Sequence, residues 1–203
     1  MAHILTVLRS GGDFLPEHVI RLRDMCPNDV TFTCLSDVPI DGVEVIPLVS
    51  SWPGYWAKFE LFRPDVPRGL YMDLDTDITG DIDSLLSVTG THALNDFYMP
   101  AILGSGLMYI DDDLAAETWA SWTDNPSHWM SLPQRRTNWG DQGVMQKIWA
   151  GRETRWQNVL PKNTVVSYKY HRHHGMPKEA SVICYHGKPR PWDVGKKSNR
   201  RPV

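Results

Sequence analysis

Two acids carry the first chemical signal. In Tyr71-Met72-Asp73-Leu74-Asp75-Thr76-Asp77, the apolar run Leu70-Tyr71-Met72 delivers Asp73 and Asp75, two residues apart, at its end. In an extended chain residues i and i+2 share a face, so these carboxylates can converge on one cation. Hard oxygen donors suit manganese or magnesium, ions that bridge phosphate oxygens. The plain alternative is a solvated acidic loop, and the strand in front of the pair favours the metal. Asp77, Asp81 and Asp83 read instead as turn caps or solvent-facing groups.

Two enzyme classes use a strand-end acid pair. Asp75-Thr76-Asp77-Ile78-Thr79 fits the DxDx(T/V) pattern of haloacid-dehalogenase-type phosphatases, with Asp111-Asp112-Asp113 as a later acidic motif. That reading explains only the acidic runs and sets its first motif far into the chain. The other class is the nucleotide-sugar glycosyltransferase. The segment Val182-Ile183-Cys184-Tyr185-His186-Gly187-Lys188-Pro189-Arg190-Pro191-Trp192 decides between them. It resembles the late HxxGxxKPW signature of glycosyltransferase family 8, with Arg190 in place of the lysine and Cys184 at the histidine. Tyr71-Met72-Asp73-Leu74-Asp75 is similar to that family's YxDxD strand, Gly104-Ser105-Gly106-Leu107-Met108 to its NSGxM strand, and Trp139-Gly140-Asp141-Gln142-Gly143 to its DQ motif. Tyr55-Trp56-Ala57-Lys58 resembles the segment whose basic residue approaches the donor. The motifs run in the family's order from about residue 3 to residue 193.

The resemblance implies a single GT-A domain over residues 1–195, in a minimal form, that moves a sugar from a nucleoside diphosphate donor, a UDP-sugar by expectation, to a hydroxyl with retention of configuration. It implies manganese, or magnesium, on Asp73 and Asp75. For the third ligand His186 is expected, because residues 184 and 186 of a strand share a face and imidazole suits manganese better than a thiol. Lys58, Lys188 and Arg190 would face the diphosphate, with Leu8, Arg9, Leu74, Ser105 and Gly187 completing the donor site. Asp141 would bind donor hydroxyls, and Gln142 would stand by the anomeric carbon. No side chain stands out as a nucleophile for double displacement. A non-catalytic nucleotide-sugar binding module is the remaining alternative. The acceptor is open among a glycan, a protein and a hydroxymethylated nucleic-acid base.

The elements that must position these groups follow from hydrophobic periodicity. His3–Leu8, Val30–Leu35, Val43–Leu48, Leu70–Met72, Leu107–Ile110 and Ser181–Tyr185 read as strands. Leu15, Val19, Leu22 and Cys26 recur at helical spacing, Trp56–Phe62 reads as a short helix stopped before Pro64, and Leu114–Trp122 and the segment after Asp141 read as helices. Strand–helix alternation predicts an α/β domain with a mainly parallel, Rossmann-like sheet flanked by helices, whose ligands bind beyond the carboxyl ends of the strands. Gly11-Gly12 is no dinucleotide fingerprint. Ser36-Asp37 fits a turn or a ribose contact equally. His171, His173 and His174 read as a polar loop near the active site rather than a zinc cluster.

Composition sets the outer bounds. With 203 residues, 41% hydrophobic and 22% charged, the chain fits one globular domain. A net charge of −3 argues against general polyanion binding. No apolar run approaches the roughly 20 residues a membrane helix needs, and the start lacks a basic-then-apolar leader, so a cytoplasmic protein is expected. Three widely spaced cysteines read as reduced thiols. Of nine tryptophans, most are expected in the core. Residues 196–203 form a basic tail with Lys196, Lys197, Arg200 and Arg201, suited to solvent or to a phosphate-rich acceptor.

Overall fold

A computed structural model describes residues 2–135 and 139–194. The basic tail lies outside the described residues.

Ten strands occur among the described residues: β1 (His3–Leu8), β2 (Thr31–Ser36), β3 (Glu44–Pro47), β4 (Leu70–Met72), β5 (Thr76–Ile78), β6 (His92–Asn95), β7 (Leu103–Tyr109), β8 (Thr154–Arg155), β9 (Val165–Ser167) and β10 (Val182–Cys184). The helices are α1 (Pro16–Arg23), α2 (Asp83–Leu86), α3 (Asp112–Asp124), α4 (Pro126–Ser131), α5 (Gly140–Trp149), α6 (Trp156–Val159) and α7 (Tyr168–His171). The main sheet has the order β3-β2-β1-β4-β7-β6-β8. Its first four strands are parallel, as the alternation of elements predicts, whereas β7 runs antiparallel to both β4 and β6. A second, three-stranded sheet, β5-β10-β9, stands beside it.

Alternation along the strands divides the core in two. Leu5, Tyr71 and Met108 belong to one cluster, and Ile4, Leu8, Leu70, Met72 and Leu107 to the other. Because successive side chains of a strand point to opposite faces, the sheet is covered on both sides. One cluster is built on tryptophan. The Trp122 ring lies flat on Phe59, 3.8 Å between centroids, and Trp56 stacks beside it at 5.4 Å. Trp56 and Phe59 come from Gly54–Phe62, a 3-10 helix rather than an α-helix. Trp149 and Trp156 are fully buried too. The three cysteines are free, and the two in or next to the core of the β1–β2 half, Cys26 and Cys34, have thiols pushed up to about 12 by burial.

Loops differ from expectation where long-range partners act. Asp111 caps α3 by accepting from the Leu114 N–H at 2.7 Å, and Asp81 accepts from the Asp83 N–H, so these acids do cap turns. Asp77 does not. It sits on β5, ion-pairs with Arg21 and accepts from the Tyr185 hydroxyl at 2.9 Å. Among the described residues no helix is long and apolar enough to cross a membrane.

Candidate active site

A cleft of about 540 Å³ opens at the carboxyl ends of β1 and β4, a size suited to a small molecule. The elements bring most of the expected residues to it: Arg9, Lys58, Asp73, Leu74, Asp75 and Ser105, together with Asp141, Gln142, His186, Gly187 and Arg190. Two expected residues are not in its lining. Leu8 points into the core at 1% exposure, and Lys188 stands at the surface outside the cleft wall.

Lys58 is the hub of the floor. Its ammonium donates to Asp141 Oδ2 at 2.7 Å, to Asp73 Oδ1 at 3.0 Å and to the Ser105 hydroxyl at 3.2 Å. The Ser105 hydroxyl in turn donates to Asp141 Oδ2 at 2.7 Å, and the Tyr71 hydroxyl donates to Asp73. Burial alone would favour neutral lysine, but the Asp141 and Asp73 carboxylates outweigh it and hold the ammonium charged. The resemblance implied Lys58 on the donor phosphates. In this structure its three donors are engaged by Asp141, Asp73 and Ser105, while the side chain lines the cleft.

Two glycines permit this closeness. A Cβ at Gly106 would stand 3.1 Å from Asp73 Oδ2. Gly140 begins α5 at φ +52°, and a Cβ there would come within 2.8 Å of the Tyr55 ring. With Gly140 in place, α5 presents Asp141 and Gln142 to the cleft in its first turn. The Gln142 side chain makes no hydrogen bond among the described residues, so its amide is free to meet a ligand.

Asp75 is almost fully buried, at 3% exposure. Its Oδ2 accepts from the Gly187 N–H at 2.9 Å and from the Arg190 guanidinium. Burial, then the neighbouring Asp73 charge, raise its pKa above the usual carboxylate value, against the pull of Gly187 and Arg190. Arg190 also approaches Asp13 at 3.6 Å and lies over the Phe14 ring, 4.4 Å from its centroid. Asp13 and Phe14 escaped the sequence reading, because only the fold brings the β1 loop against the carboxyl-terminal segment. Asp37 ties the loop after β2 to the loop after β1: it accepts from the Ser10 N–H and hydroxyl, each at 2.8 Å, and pairs with Arg9.

The expected metal triad is not assembled. Strand β10 ends at Cys184, and His186 adopts φ +37°, so the alternation that would put residues 184 and 186 on one face stops before it reaches the histidine. Its Nε2 lies 2.6 Å from the Ser167 hydroxyl, and its ring stacks on Phe97 at 5.7 Å. The residue is exposed to the cleft, yet the protein around the ring and the nearby Lys169 push its pKa down to about 4. Cys184 is buried, and burial with the Asp75 and Asp73 charges pushes its thiol up, away from a metal-binding thiolate. Among the described residues no group of three His, Cys, Asp or Glu side chains is placed to hold an ion. As arranged, the donor set is a poor fit for a divalent metal: it lacks a third protein ligand among the described residues, and one oxygen of each acid already carries a protein cation. The same holds for the histidine stretch, where His171 Nδ1 is engaged by the Ser167 backbone and forms no metal cluster.

The phosphatase alternative finds no support here. Asp77 lies outside the cleft lining, and Asp75 is locked by Gly187 and Arg190 rather than presented as a nucleophile.

No protein-family profile matches the chain, and no curated protein does. Solved glycosyltransferases do match it in structure. The apo form of GlyE from Streptococcus pneumoniae TIGR4 superposes with a TM-score of 0.69 at 15% identity, over 100% of this chain and 57% of GlyE. The galactosyltransferase LgtC, solved with donor and acceptor sugar analogues, gives 0.66 at 11% identity, over 95% of this chain and 90% of LgtC. A glycosyltransferase involved in glycosylation of the major capsid of PBCV-1 gives 0.60 at 12%, over 92% and 94%. The chain thus spans less than two thirds of GlyE and most of the other two. The likeness is one of fold: an α/β chain with a mostly parallel sheet flanked by helices, of the GT-A glycosyltransferase type.

Proposed function

We propose that the protein is a glycosyltransferase that moves a sugar from a nucleoside diphosphate donor to an acceptor hydroxyl, in the manner of family 8. One observation carries the reading. In a GT-A fold, at the carboxyl ends of β1 and β4, a single cleft holds Asp73, Asp75, Ser105, Asp141, Gln142 and Arg190 together. Open α/β sheets bind ligands at this place.

The chemistry follows from the side chains. Arg190 faces the diphosphate and stabilises charge that develops on it as the glycosidic bond breaks. The bond from the anomeric carbon to the diphosphate oxygen takes its electron pair to that oxygen. The acceptor oxygen bonds to the same carbon, and its proton passes to the departing diphosphate, with configuration retained. Gln142 turns its amide carbonyl to the positive charge developing at the anomeric carbon. Asp141, held by Lys58 and Ser105, keeps one carboxylate oxygen for a donor hydroxyl. A UDP-sugar is the expected donor. Trp139 and Tyr55, exposed at the cleft mouth, offer rings to a sugar or base acceptor.

The test is a donor-by-acceptor screen read by mass spectrometry. A product heavier by one sugar residue supports the reading. Free nucleoside diphosphate and free sugar without any glycosylated acceptor would mean that the acceptor class is still missing from the screen. Tight donor binding without any cleavage would identify a binding module.

A further inference from the structure

We infer that Arg190, with Lys58 behind it, stands where a divalent ion would, so that this protein binds a nucleoside diphosphate without metal. The inference rests on the proposed donor and departs from the manganese expected from the motif.

Charge gives the first argument. The two motif acids each have a cation of their own. Lys58 Nζ lies 3.0 Å from Asp73 Oδ1, and the Arg190 guanidinium is paired with Asp75 Oδ2. The two protein cations therefore bring to these acids the two positive charges that one divalent ion would. A metal on Asp75 would have to share that carboxylate with the Arg190 guanidinium, a second cation in a site only 3% exposed, where like charges repel strongly.

Ligand chemistry gives the second. The resemblance implies a third protein ligand beside the two acids, and neither candidate is placed with them among the described residues. Cys184 is a buried thiol on β10, and the His186 ring is turned to Ser167 and Phe97.

The third argument concerns what Arg190 has left to give. A guanidinium carries five N–H donors in a planar fork matched to phosphate and does not deprotonate. Here one nitrogen serves Asp75, another stands 3.6 Å from Asp13, and the buried Nε–H has no partner among the described residues. The Phe14 ring beneath the guanidinium and the Gly187 N–H on Asp75 hold this geometry. Lys58, with its donors taken, holds Asp73 and Asp141 in place, and Arg190 is the cation that meets the diphosphate.

Calorimetric titration of the full chain with UDP, GDP, ADP, CDP and dTDP tests this, once in excess EDTA and once with manganese chloride. The expected result is that at least one diphosphate binds in EDTA with a Kd within about threefold of its value in manganese, and that the free-ion electron paramagnetic resonance signal of manganese is not reduced by protein and diphosphate. Arg190→Gln, checked for fold by circular dichroism, weakens binding about 10- to 100-fold in EDTA, and manganese does not restore it. Binding that vanishes in EDTA and returns with manganese overturns the proposal and leaves the donor reading intact. Binding of no diphosphate under either condition overturns both. If Arg190→Gln does not fold, the wild-type comparison of EDTA with manganese still decides.

Discussion

The Lys58 ammonium stands 2.7 Å from the Asp141 carboxylate, with only 7% and 9% of the two side chains exposed. They come from a 3-10 helix and from the first turn of α5, and their pair ties together the two segments that face each other across the cleft. Removing the cation alone leaves the nearly buried Asp141 carboxylate beside Asp73 with no counter-charge. Lys58→Met should therefore lower stability by about 3–5 kcal/mol in denaturant unfolding. A loss below about 1 kcal/mol would mean that the pair is solvated and carries little.

Trp122 offers a separate test of the core. Its ring lies flat on Phe59 with Trp56 beside it, yet its indole N–H is buried with no partner among the described residues. Trp122→Ala should cost about 3–5 kcal/mol through the cavity it opens. Trp122→Phe should cost much less than its lost volume suggests, because it also removes an unpaired donor worth about 1–3 kcal/mol. Equal losses in the two variants, measured by the same unfolding titration, would contradict this account.

His18 gives a pH dependence. Its Nδ1 accepts from the Leu15 N–H at 3.0 Å at the start of α1, and its ring stacks on Trp192 at 3.6 Å. Burial, and then the nearby Arg21 and Arg190, lower its pKa below the usual 6.5, with Glu17 opposing. The unfolded chain therefore takes up this proton first as pH falls. The stability His18 contributes is complete above about pH 6.5 and declines as pH drops through that value toward the lowered folded one. His18→Gln should lose less stability than wild type over the same fall in pH, as thermal unfolding across a pH series would register. Parallel curves would show that His18 does not titrate differently in the folded state.

Gln142 separates catalysis from folding. Its side chain lines the cleft and makes no hydrogen bond among the described residues. Gln142→Ala should leave stability within about 0.5 kcal/mol of wild type. If its carbonyl faces the charge at the anomeric carbon, turnover should fall about 100-fold, mostly in kcat. Unchanged kcat with a raised KM would make it a donor-binding group only.

Much of this arrangement was legible in the sequence, and the parts that were not share a cause. The parallel half of the sheet, β1 to β4, is written in apolar runs, and α3 and α5 in helical periodicity, because each signal is local. Strands β5, β6, β8 and β9 escaped that reading, and each exists through pairing with a distant partner. The acid pair was visible because a strand ends just before it. The pairing of Asp75 with Arg190 was not, since it joins residues far apart in the chain, and the i, i+2 argument for His186 failed because the backbone leaves the extended region at the residue concerned. The Tyr71 hydroxyl on Asp73 could have been found, as the same two-residue spacing that aligned the acids also aligns this ring with the first of them.

The central claim is sugar transfer from a nucleotide donor by this cleft, and donor cleavage tests it most directly. Release of nucleoside diphosphate from a panel of UDP-, GDP-, ADP-, CDP- and dTDP-sugars should be measured for wild type and for Gln142→Ala, alongside phosphate release from a phosphomonoester. The account predicts cleavage of at least one nucleotide sugar by the wild type, loss of most of that activity in the variant, and no phosphatase activity. Phosphate release from the monoester with every nucleotide sugar left intact would contradict it.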